Sequence, residues 1–373
     1  MFNKIFNYLS YYKWWKNLDK VILSLVIIYL FIVLFFSLVS TSLDASDKLN
    51  TNSYFFFFKH LFFVIIGLGI IFILSYIEID TLYKISIYIF LSTLILLLFV
   101  PIIGVEVKGS KRWIDLLFLP RIQPIEFVKP FFIIMLALII SNTKLPNLSI
   151  KLLFSFLLTC LIVSLLIIQP DLGQTLLIGF SWITVIFVSG INLTFLLLIS
   201  IIGLSLLIYL VFYVPKFEYI KDRLLSFFDR ETGTHNFQSD KAIDSIISGG
   251  FFGKGVGEGT LKNSVPEAHT DYIISVISEE FGVIMIILIL ILFLVLIFSI
   301  FKKVENEKSD TARLILIGSG TLILLQAIIH IGVNIRLFPT TGMTLPFLSY
   351  GGSSIISVSI LSGIILNLTK RKV

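Results

Sequence analysis

The sequence has 373 residues, of which 57% are hydrophobic and 14% charged, and its mean hydropathy is +1.01. A soluble domain carries about 25% charged residues, so the composition excludes a soluble fold and favours a membrane protein. The net charge of +6 requires no nucleic-acid partner, since much of it lies beside hydrophobic segments, and a single cysteine excludes an internal disulfide.

Ten hydrophobic segments are long enough to cross a bilayer core about 30 Å thick as helices. Backbone polar groups in lipid must be satisfied inside the protein, so helices are the expected spanning form. The predicted spans are 21–42, 55–77, 84–103, 124–142, 151–168, 172–190, 192–213, 272–301, 312–335 and 347–368. The predicted fold is an all-α polytopic integral membrane protein of about ten transmembrane helices, in one membrane domain over 1–373.

Positive charge marks three segments that an even number of spans places on one side of the membrane. They are the N-terminal segment 1–20 with its lysines, the loop KKVENEKSDTAR after the eighth span, and the tail 369–373. Cytoplasmic loops are enriched in Lys and Arg. We therefore predict that both termini are cytoplasmic.

Four connections then lie on the opposite, extracytoplasmic side. They are the loop VEVKGSKRWIDLLFLPRIQP, the turn QPD, a large loop over 214–271 between the seventh and eighth spans, and the turn RLFPTTGMTLPFLSYGGSS. The first contradicts the charge rule, because Lys108, Lys111, Arg112 and Arg121 lie outside. Positive charge on this side suggests an anionic ligand.

The segment SVPEAHTDYIISVISEEFG, 264–282, brings a proline, several acids and a histidine to the start of the eighth span. Thr270 or Asp271 is placed as the N-cap of that helix, and a carboxylate at a helix N-terminus stays ionised. The local pattern leaves open a simple cap, a general base or a metal ligand for Asp271. His269 is either a surface histidine or a ligand contact, and Glu267 is a further candidate for substrate contact.

Helical spacing separates Asp271 from the two acids of SEEFG. At about 1.5 Å per residue, Glu279 lies roughly 12 Å deeper along the helix. That exceeds the roughly 5–9.5 Å between the two carboxylates of a glycosidase. Glu280 points to nearly the opposite face of the helix. The segment therefore offers one available acid, and we expect Glu279 and Glu280 to make polar contacts between helices.

A second group of charges lies in RIQPIEFVKP. Glu126 and Lys129 are three residues apart near the start of the fourth span, so they can pair on one helix face. Ionisable groups inside a span are costly and indicate function by default. With Lys111 and Arg112 they could form a cationic pocket for pyrophosphate, since Arg binds phosphate with two hydrogen bonds and Lys acts as a point charge. A structural ion pair and a basic interfacial loop remain alternatives.

The polar residues of the other connections can be explained by helix capping, close packing or structural hydrogen bonds. Asp171 in QPDLGQ is placed as a helix cap. Ser349 precedes two glycines at a helix start, where backbone amides favour anions, although close helix packing through small residues explains the same pattern. His330, Asn334 and Arg336 are expected to form a structural polar network. The glycine-rich GGFFGKGVGEG matches no phosphate-binding loop and predicts tight turns.

These motifs occur together in one family. The segments KGSKRWIDL, QPIEFVKP, QPDLGQT, GGFFGKGVGEGTLKNSVPEAHTDYI, SEEFG and PTTGMTLPFLSYGGSS resemble, in this order over about 108–354, the motifs of SEDS proteins, the RodA and FtsW group. The ten-span count agrees. Alanine between Glu267 and His269 makes the sequence more similar to the FtsW branch. Ile125 departs from the serine common in the family, whereas Glu126 and Lys129 match.

The resemblance implies a peptidoglycan glycosyltransferase of cell division, located in the bacterial inner membrane at the septum. Its substrate would be lipid II, an undecaprenyl-diphosphate-linked disaccharide pentapeptide, and its product β-1,4-linked glycan strands formed with inversion. A cognate class B penicillin-binding protein, which is a transpeptidase, and other divisome membrane proteins would be its partners. The pattern requires no cofactor, although a divalent cation, Mg²⁺ or Mn²⁺, is left open.

An inverting transfer needs one base to take the proton of the acceptor hydroxyl, a role that suits the lone Asp271; a metal-ligand role stays open. The candidates for binding the substrate and its pyrophosphate are Lys111, Arg112, Glu126, Lys129, Glu267, His269 and Ser349. The alternatives are a RodA-type elongation polymerase, a lipid II flippase or other transporter, and a divisome scaffold. A transporter is less favoured because the motifs lie at one end of the spans, whereas transporter sites lie near the midplane.

Overall fold

A computed structural model describes residues 12–38, 54–107, 110–116, 119–145, 147–228, 237–268 and 270–370. A helix lies at each of the ten predicted spans. Helices α1 to α7 are Lys20–Phe36, Phe55–Tyr76, Ile79–Ile103, Pro124–Ile140, Leu148–Ile168, Leu172–Val188 and Leu193–Tyr213. Two shorter helices follow in the large loop, α8 at Glu218–Phe228 and α9 at Phe237–Gly249. Helices α10 to α12 are Ile273–Glu305, Asp310–Asn334 and Gly352–Leu368.

The all-α membrane fold is confirmed. By length and composition, six of the described helices are long and apolar enough to cross a membrane, namely α2, α3, α5, α7, α10 and α11. The helices α1, α4, α6 and α12 have 17 residues each. The count of ten spans therefore stays a prediction.

The centre of the bundle is formed by α4, α11 and α12. Helix α12 packs along α2 and α4, while α11 packs against α4, α6 and α10. Small residues allow the closest approaches, since a Cβ added at Gly363 of α12 would lie 2.8 Å from the Cβ of Leu74 on α2. Helix α7 is peripheral, since only 11% of its most apolar stretch is buried inside the protein. The polar side chains of α4 and α11 are thus enclosed at the centre.

Contacts between helix ends place the three basic segments on one face of the bundle. Lys303 Nζ, at the end of α10, lies 2.5 Å from Asp19 Oδ2, which precedes α1. The ring of Trp14 packs edge-on against Tyr76 at the end of α2, and Asn367 of α12 donates to backbone carbonyls there. The described parts of the N-terminal segment, the loop after α10 and the tail therefore share one face, and the cytoplasmic location of that face stays a prediction.

The four connections predicted for the other side meet on the opposite face, which we call the site face. Arg112, in the first connection, donates to the carbonyl of Gln169 in the second, at 3.5 Å. Arg223 of α8 donates to the carbonyl of Thr340 in the last connection, at 3.2 Å. The described segments of the site face are 104–107, 110–116, 119–123, 169–171, 214–228, 237–268, 270–272 and 335–351.

The first connection folds into a small antiparallel sheet, which the sequence analysis did not anticipate. Its strands, in the order β1-β2-β3, are Val105–Val107, Ser110–Leu116 and Leu119–Ile122. The alternating VEV and the turn KGS were the hairpin signal. Since neighbouring strand residues face opposite sides, Lys111 is exposed whereas Arg112 is directed into the protein.

Helix α10 is broken at Gly282, where φ is 77° and ψ is 175°. The break frees backbone groups, and the glycine-rich loop GGFFGKGVGEG binds them. Val283 N donates to the carbonyl of Gly250 at 3.0 Å, and Lys254 N donates to the carbonyl of Glu279 at 2.9 Å. The loop therefore runs along the broken helix and satisfies it where regular helical bonds are missing.

The predicted tight turns of this loop are confirmed by its backbone angles. Four of its glycines have positive φ, namely Gly250, Gly253, Gly255 and Gly257. At Gly253 an added Cβ would lie 2.2 Å from the carbonyl oxygen of Glu280. Glycine is required at this position because the loop backbone touches the helix backbone.

Replacing Gly282 with alanine should destabilise the protein. The new Cβ would lie 2.1 Å from the carbonyl oxygen of Phe251, in a left-handed conformation that non-glycine residues avoid. We expect a loss of about 1–3 kcal/mol, seen as a lower melting temperature of the purified protein. Gly179→Ala on α6, where an added Cβ meets nothing within 4 Å, is the matched control. Equal melting temperatures for both variants would contradict a structural break at Gly282.

Candidate active site

Asp271 lies in a tight turn that precedes α10. The N–H groups of Thr270, Asp271 and Tyr272 all donate to the carbonyl of Glu267, at 3.1 to 3.3 Å. Helix α10 begins at Ile273, and Tyr272 is its N-cap without a side-chain capping bond. The prediction that Thr270 or Asp271 caps this helix is therefore wrong, because the turn uses these residues before the helix starts.

The Asp271 carboxylate and the Arg112 guanidinium meet at Gly342, in the turn between α11 and α12. Gly342 has a φ of 69°, and a Cβ added there would lie 3.5 Å from Asp271 Oδ2 and 3.7 Å from Arg112 Nη1. Both groups thus lie within 4 Å of one point. The fold brings together the predicted acid and one predicted cation, from the large loop and the sheet, against the last turn.

The QPD turn holds Arg112 in this position. Arg112 Nε lies 3.6 Å from Asp171 Oδ2, and the same guanidinium donates to the carbonyl of Gln169. Asp171 also accepts from Gln123 Nε2 at 3.4 Å and caps α6 through the N–H of Gln174, at 3.4 Å. The predicted capping role is confirmed. The second role of Asp171, as the partner of Arg112, is not visible in the local sequence.

Side chains of α11 and the last turn fix the backbone around Asp271. Asn334 Nδ2 donates to the carbonyl of Asp271 at 3.0 Å and to that of His330 at 2.9 Å. Ser349 Oγ donates to the carbonyl of Thr270 at 2.6 Å. Of the predicted structural network of His330, Asn334 and Arg336, Asn334 binds the backbone of His330 and of Asp271, whereas Arg336 pairs with Asp240 instead. Asn334 thereby positions the backbone of the candidate catalytic acid.

Glu126 and Lys129 form a buried ion pair on α4, with Nζ 2.8 Å from Oε1. Glu126 is 2% exposed and Lys129 is 0% exposed. Gln174 of α6 donates to Glu126 at 3.1 Å, and Lys129 donates to Gln326 of α11 at 3.2 Å. Gln326 Nε2 in turn donates to the carbonyl of Thr344 in the last turn, at 2.9 Å. The predicted pairing is confirmed; direct contact of either side chain with pyrophosphate stays a prediction.

The carboxylate of Glu279 is bound to the large loop. Its Oε1 accepts from the N–H groups of Thr260 and Leu261, each at 2.9 Å, and its Oε2 accepts from Ser245 Oγ of α9 at 2.8 Å. The expected contact between helices is therefore confirmed for Glu279. Its carboxylate is bound to the loop, so Asp271 stays the candidate catalytic acid of this segment. The contacts of Glu280, which is buried, stay a prediction.

The remaining predicted residues lie around this centre. Lys111 is exposed on β2 and pairs in register with Glu106 of β1. Glu267 is half-buried and accepts from Thr270 Oγ1 at 3.1 Å through its own carboxylate. His269 lies outside the described residues, as does Lys108. The substrate-binding roles of Lys111, Glu267, His269 and Ser349 stay predictions.

Sequence patterns missed three residues of the site, Gly342, Gln326 and Arg223. Gly342 was unmarked because a single glycine in a turn is common, and its positive φ becomes visible only in the structure. Gln326 is polar in an apolar helix, which was the available signal. Arg223 lies in a loop helix without a motif. All three are linked to the turn 335–351. Gly342 lies in this turn, and Gln326 and Arg223 each donate a hydrogen bond to one of its carbonyls.

A carboxylate and a guanidinium both border this centre, each within 4 Å of the same point at Gly342. Burial, reinforced by the negative charge of Asp271, raises the pKa of the adjacent Tyr272. Among the described residues, no group of three or more His, Cys, Asp or Glu side chains could hold a metal ion. Mg²⁺ needs only one or two carboxylates when phosphates complete its shell, so Asp271 fits that mode of binding. The centre can accept a proton and attract an anion.

Comparisons with known proteins agree on one family. The sequence model FTSW_RODA_SPOVE, described as cell cycle protein, matches residues 18–373. A protein named probable peptidoglycan glycosyltransferase FtsW from Caulobacter vibrioides is 29% identical over 371 residues, covering 96% of this chain and 91% of the relative. A protein of the same name from Coxiella burnetii is 33% identical, covering 88% of this chain and 90% of the relative.

Solved structures share the fold. A structure described as structural coordination of polymerization and crosslinking by a peptidoglycan synthase complex matches with a TM-score of 0.77 at 25% identity, covering 94% of this chain and 97% of that chain. The crystal structure of the rod shape determining protein RodA from Thermus thermophilus matches with a TM-score of 0.68 at 24% identity, covering 95% and 97%.

Removing Lys129 should destabilise the bundle strongly. Lys129→Met leaves the Glu126 carboxylate buried without its cation, which costs about 3–5 kcal/mol. The double variant Glu126→Gln with Lys129→Met removes both charges and should recover most of the loss. Lys241→Met breaks the more exposed pair with Asp244 and should change stability by less than about 1 kcal/mol. Thermal unfolding measures all three, and a double variant no more stable than Lys129→Met would contradict the pairing.

Proposed function

The chain belongs to the FTSW_RODA_SPOVE family of cell cycle proteins, and from this membership we propose that it is a peptidoglycan glycosyltransferase that makes septal cell wall during division. The support is the repeated name of the curated relatives, whose similarity extends over most of this chain. A polytopic membrane fold suits an enzyme whose donor is a lipid. The single observation that carries the chemistry is the meeting of Asp271 and Arg112 at Gly342.

The proposed substrate is lipid II. Its disaccharide pentapeptide is attached through a diphosphate to an undecaprenyl chain, so the reacting groups lie at the membrane surface while the chain stays in lipid. The polar residues of this protein are distributed in the same way, since the site face joins four irregular segments at one end of an apolar bundle. The basic β2 strand with Lys111 and Arg112 suits the diphosphate.

The proposed reaction is an inverting transfer. The acceptor hydroxyl oxygen forms a bond to the anomeric carbon as the bond from that carbon to the diphosphate oxygen breaks. The hydroxyl proton passes to the Asp271 carboxylate, and the electron pair of the broken bond leaves on undecaprenyl diphosphate. One base suffices for this displacement, and a positioned base typically contributes about 10²–10⁴-fold.

Developing charge on the diphosphate requires positive groups. Arg112 is the first candidate because it already lies beside Asp271. Lys111 would assist from β2, and Lys129 would act from α4 if its network opens. A divalent cation bound by Asp271 and the diphosphate would add positive charge in the same place. In that case Asp271 would act as a metal ligand.

The proposed partners are a cognate class B penicillin-binding protein, which crosslinks the strands, and other membrane proteins of the divisome. The support is the solved structure whose description joins polymerization and crosslinking in one peptidoglycan synthase complex. Septal action is proposed over elongation because the curated relatives cited above bear the FtsW name.

Replacing Asp271 should abolish polymerisation. Both Asp271→Asn and Asp271→Ala should reduce the rate of glycan formation from lipid II by at least about 10²-fold, because neither side chain accepts the proton. The measurement uses purified protein with its penicillin-binding partner. Asp244→Asn on α9, an exposed acid outside the turn, is the control and should keep full activity.

The same preparation distinguishes the alternatives. Full activity of Asp271→Asn would disprove the assigned base. Lipid II translocation in liposomes that persists in the variant, with no glycan formed by the wild type, would favour a transporter. Depletion in cells separates septal from elongation enzymes, since filaments indicate division and round cells indicate elongation.

The proposed orientation places both termini in the cytoplasm and the large loop 214–271 outside. A cysteine introduced at Lys308 should react with a membrane-impermeant maleimide only after the membrane is opened, whereas one at Phe252 should react in intact spheroplasts. Both positions are exposed, and Cys160→Ala provides the cysteine-free background. Labelling in the reverse order would overturn the orientation.

A further inference from the structure

Glu279 of α10 is a buried carboxylate that is bound to the large loop. It is 0% exposed, yet its two oxygens together accept from the Thr260 and Leu261 amides, at 2.9 Å each, and from Ser245 Oγ at 2.8 Å. Lys254 approaches at 3.4 Å from a partly exposed position. Charge-assisted bonds of this kind are roughly twice as strong as neutral ones, and a carboxylate buried away from water needs them all.

These contacts close a loop in the chain. The amide of Leu261 and the side chain of Glu279 join two points 18 residues apart, and Asp271 lies between them. A second pair of bonds reinforces the closure, since Lys254 N and Gly255 N donate to the carbonyls of Glu279 and Glu280. The segment that carries Asp271 is therefore a ring, closed where the buried Glu279 carboxylate binds Thr260, Leu261 and Ser245. We call this set of contacts the neck.

The neck and the Asp271 turn are joined by side-chain packing and by backbone hydrogen bonds. Val265, shortly after the neck, is 1% exposed and packs in one apolar cluster with Tyr272. The carbonyl of Glu267, within the ring, holds the amides of Asp271 and Tyr272. A shift of the backbone at Leu261 would therefore be transmitted to the Asp271 turn through the packing of Val265 and the hydrogen bonds to the Glu267 carbonyl.

We propose that Glu279 is a positioning residue for the transfer reaction, acting through the neck to hold the Asp271 carboxylate at Arg112 and Gly342. The proposal rests on the proposed function. Glu279 touches no reacting atom in this role. Misplacement of a catalytic group by 1 Å can cost about 10²-fold in rate, so loss of the neck should lower kcat and leave KM for lipid II unchanged.

The first test compares three single variants in the lipid II polymerisation assay. Glu279→Gln keeps the shape, but it removes the negative charge and replaces one of the two acceptor oxygens with an NH₂ donor. The charge-assisted bonds of the neck are therefore weakened, and we expect kcat to fall by about 10²-fold. Lys254→Met removes one contact of the buried carboxylate and should lower kcat by less than Glu279→Gln does. Glu258→Gln changes an exposed acid of the same loop and should keep kcat. Wild-type kcat in Glu279→Gln would overturn the proposal.

A reversible bond separates positioning from folding. A Cβ added at Gly259 would lie 3.2 Å from Glu279 Cγ, the place that the sulfur of a cysteine would take. The double variant Gly259→Cys with Glu279→Cys, in a Cys160→Ala background, can therefore close the neck with a disulfide. We expect the oxidised form to polymerise lipid II and the reduced form of the same sample to lose kcat by about 10²-fold.

Equal activity of the oxidised and reduced forms, with the disulfide verified by mass, would overturn the proposal. Hydrogen exchange gives a readout that is independent of activity, since peptides covering 260–272 should exchange faster in Glu279→Gln than in wild type. Absence of polymer from wild-type protein with its partner would instead reject the proposed function. Unchanged exchange in Glu279→Gln would reject the neck, whatever the wild type catalyses.

Discussion

Buried backbone N–H and C=O groups must find partners inside the protein, and the segments around Asp271 meet this constraint without a continuous helix. The break at Gly282 leaves amides and carbonyls that the glycine-rich loop binds. The turn before α10 gathers three amides on the carbonyl of Glu267. The glycine-rich loop and the broken helix thus satisfy each other, whereas the turn satisfies its own amides. Side-chain bonds from Arg112, Arg223 and Ser349 to backbone carbonyls then join the separate connections on one face.

The charges of the protein obey a related constraint. Arg112 is paired with Asp171, and Lys129 is paired with Glu126, so each cation enters the protein with a carboxylate. Such pairs offset the desolvation that burial imposes. Arg112 differs from Lys129 because it also lies beside Asp271 at Gly342. A bound diphosphate would therefore compete with the Asp171 and Asp271 carboxylates for Arg112. Anion binding would in this way be coupled to proton transfer to Asp271.

Composition and residue spacing were sufficient to predict the helices and one buried ion pair. The ten helices occur where hydrophobic runs of sufficient length occur, and Glu126 pairs with Lys129 because residues three apart share a helix face. The cap at Asp271 was wrong, because the turn at Glu267 is decided by contacts with Ser349 and Asn334, which are remote in sequence. Local rules also gave no sign that Asp171 would hold Arg112.

Backbone strain is concentrated on the same face. The described non-glycine residues with positive φ are Pro170, Glu267, Arg336 and Phe347, and all four lie in site-face segments. Such conformations cost about 1–3 kcal/mol each and persist only when the surroundings impose them. Arg336 is held by an ion pair with Asp240, and the ring of Phe347 stacks on that of Tyr29, with centroids 4.9 Å apart. Folding energy thus fixes these turns before any substrate arrives. In the proposed reaction the polar groups would need little reorganisation when charge develops on the leaving diphosphate.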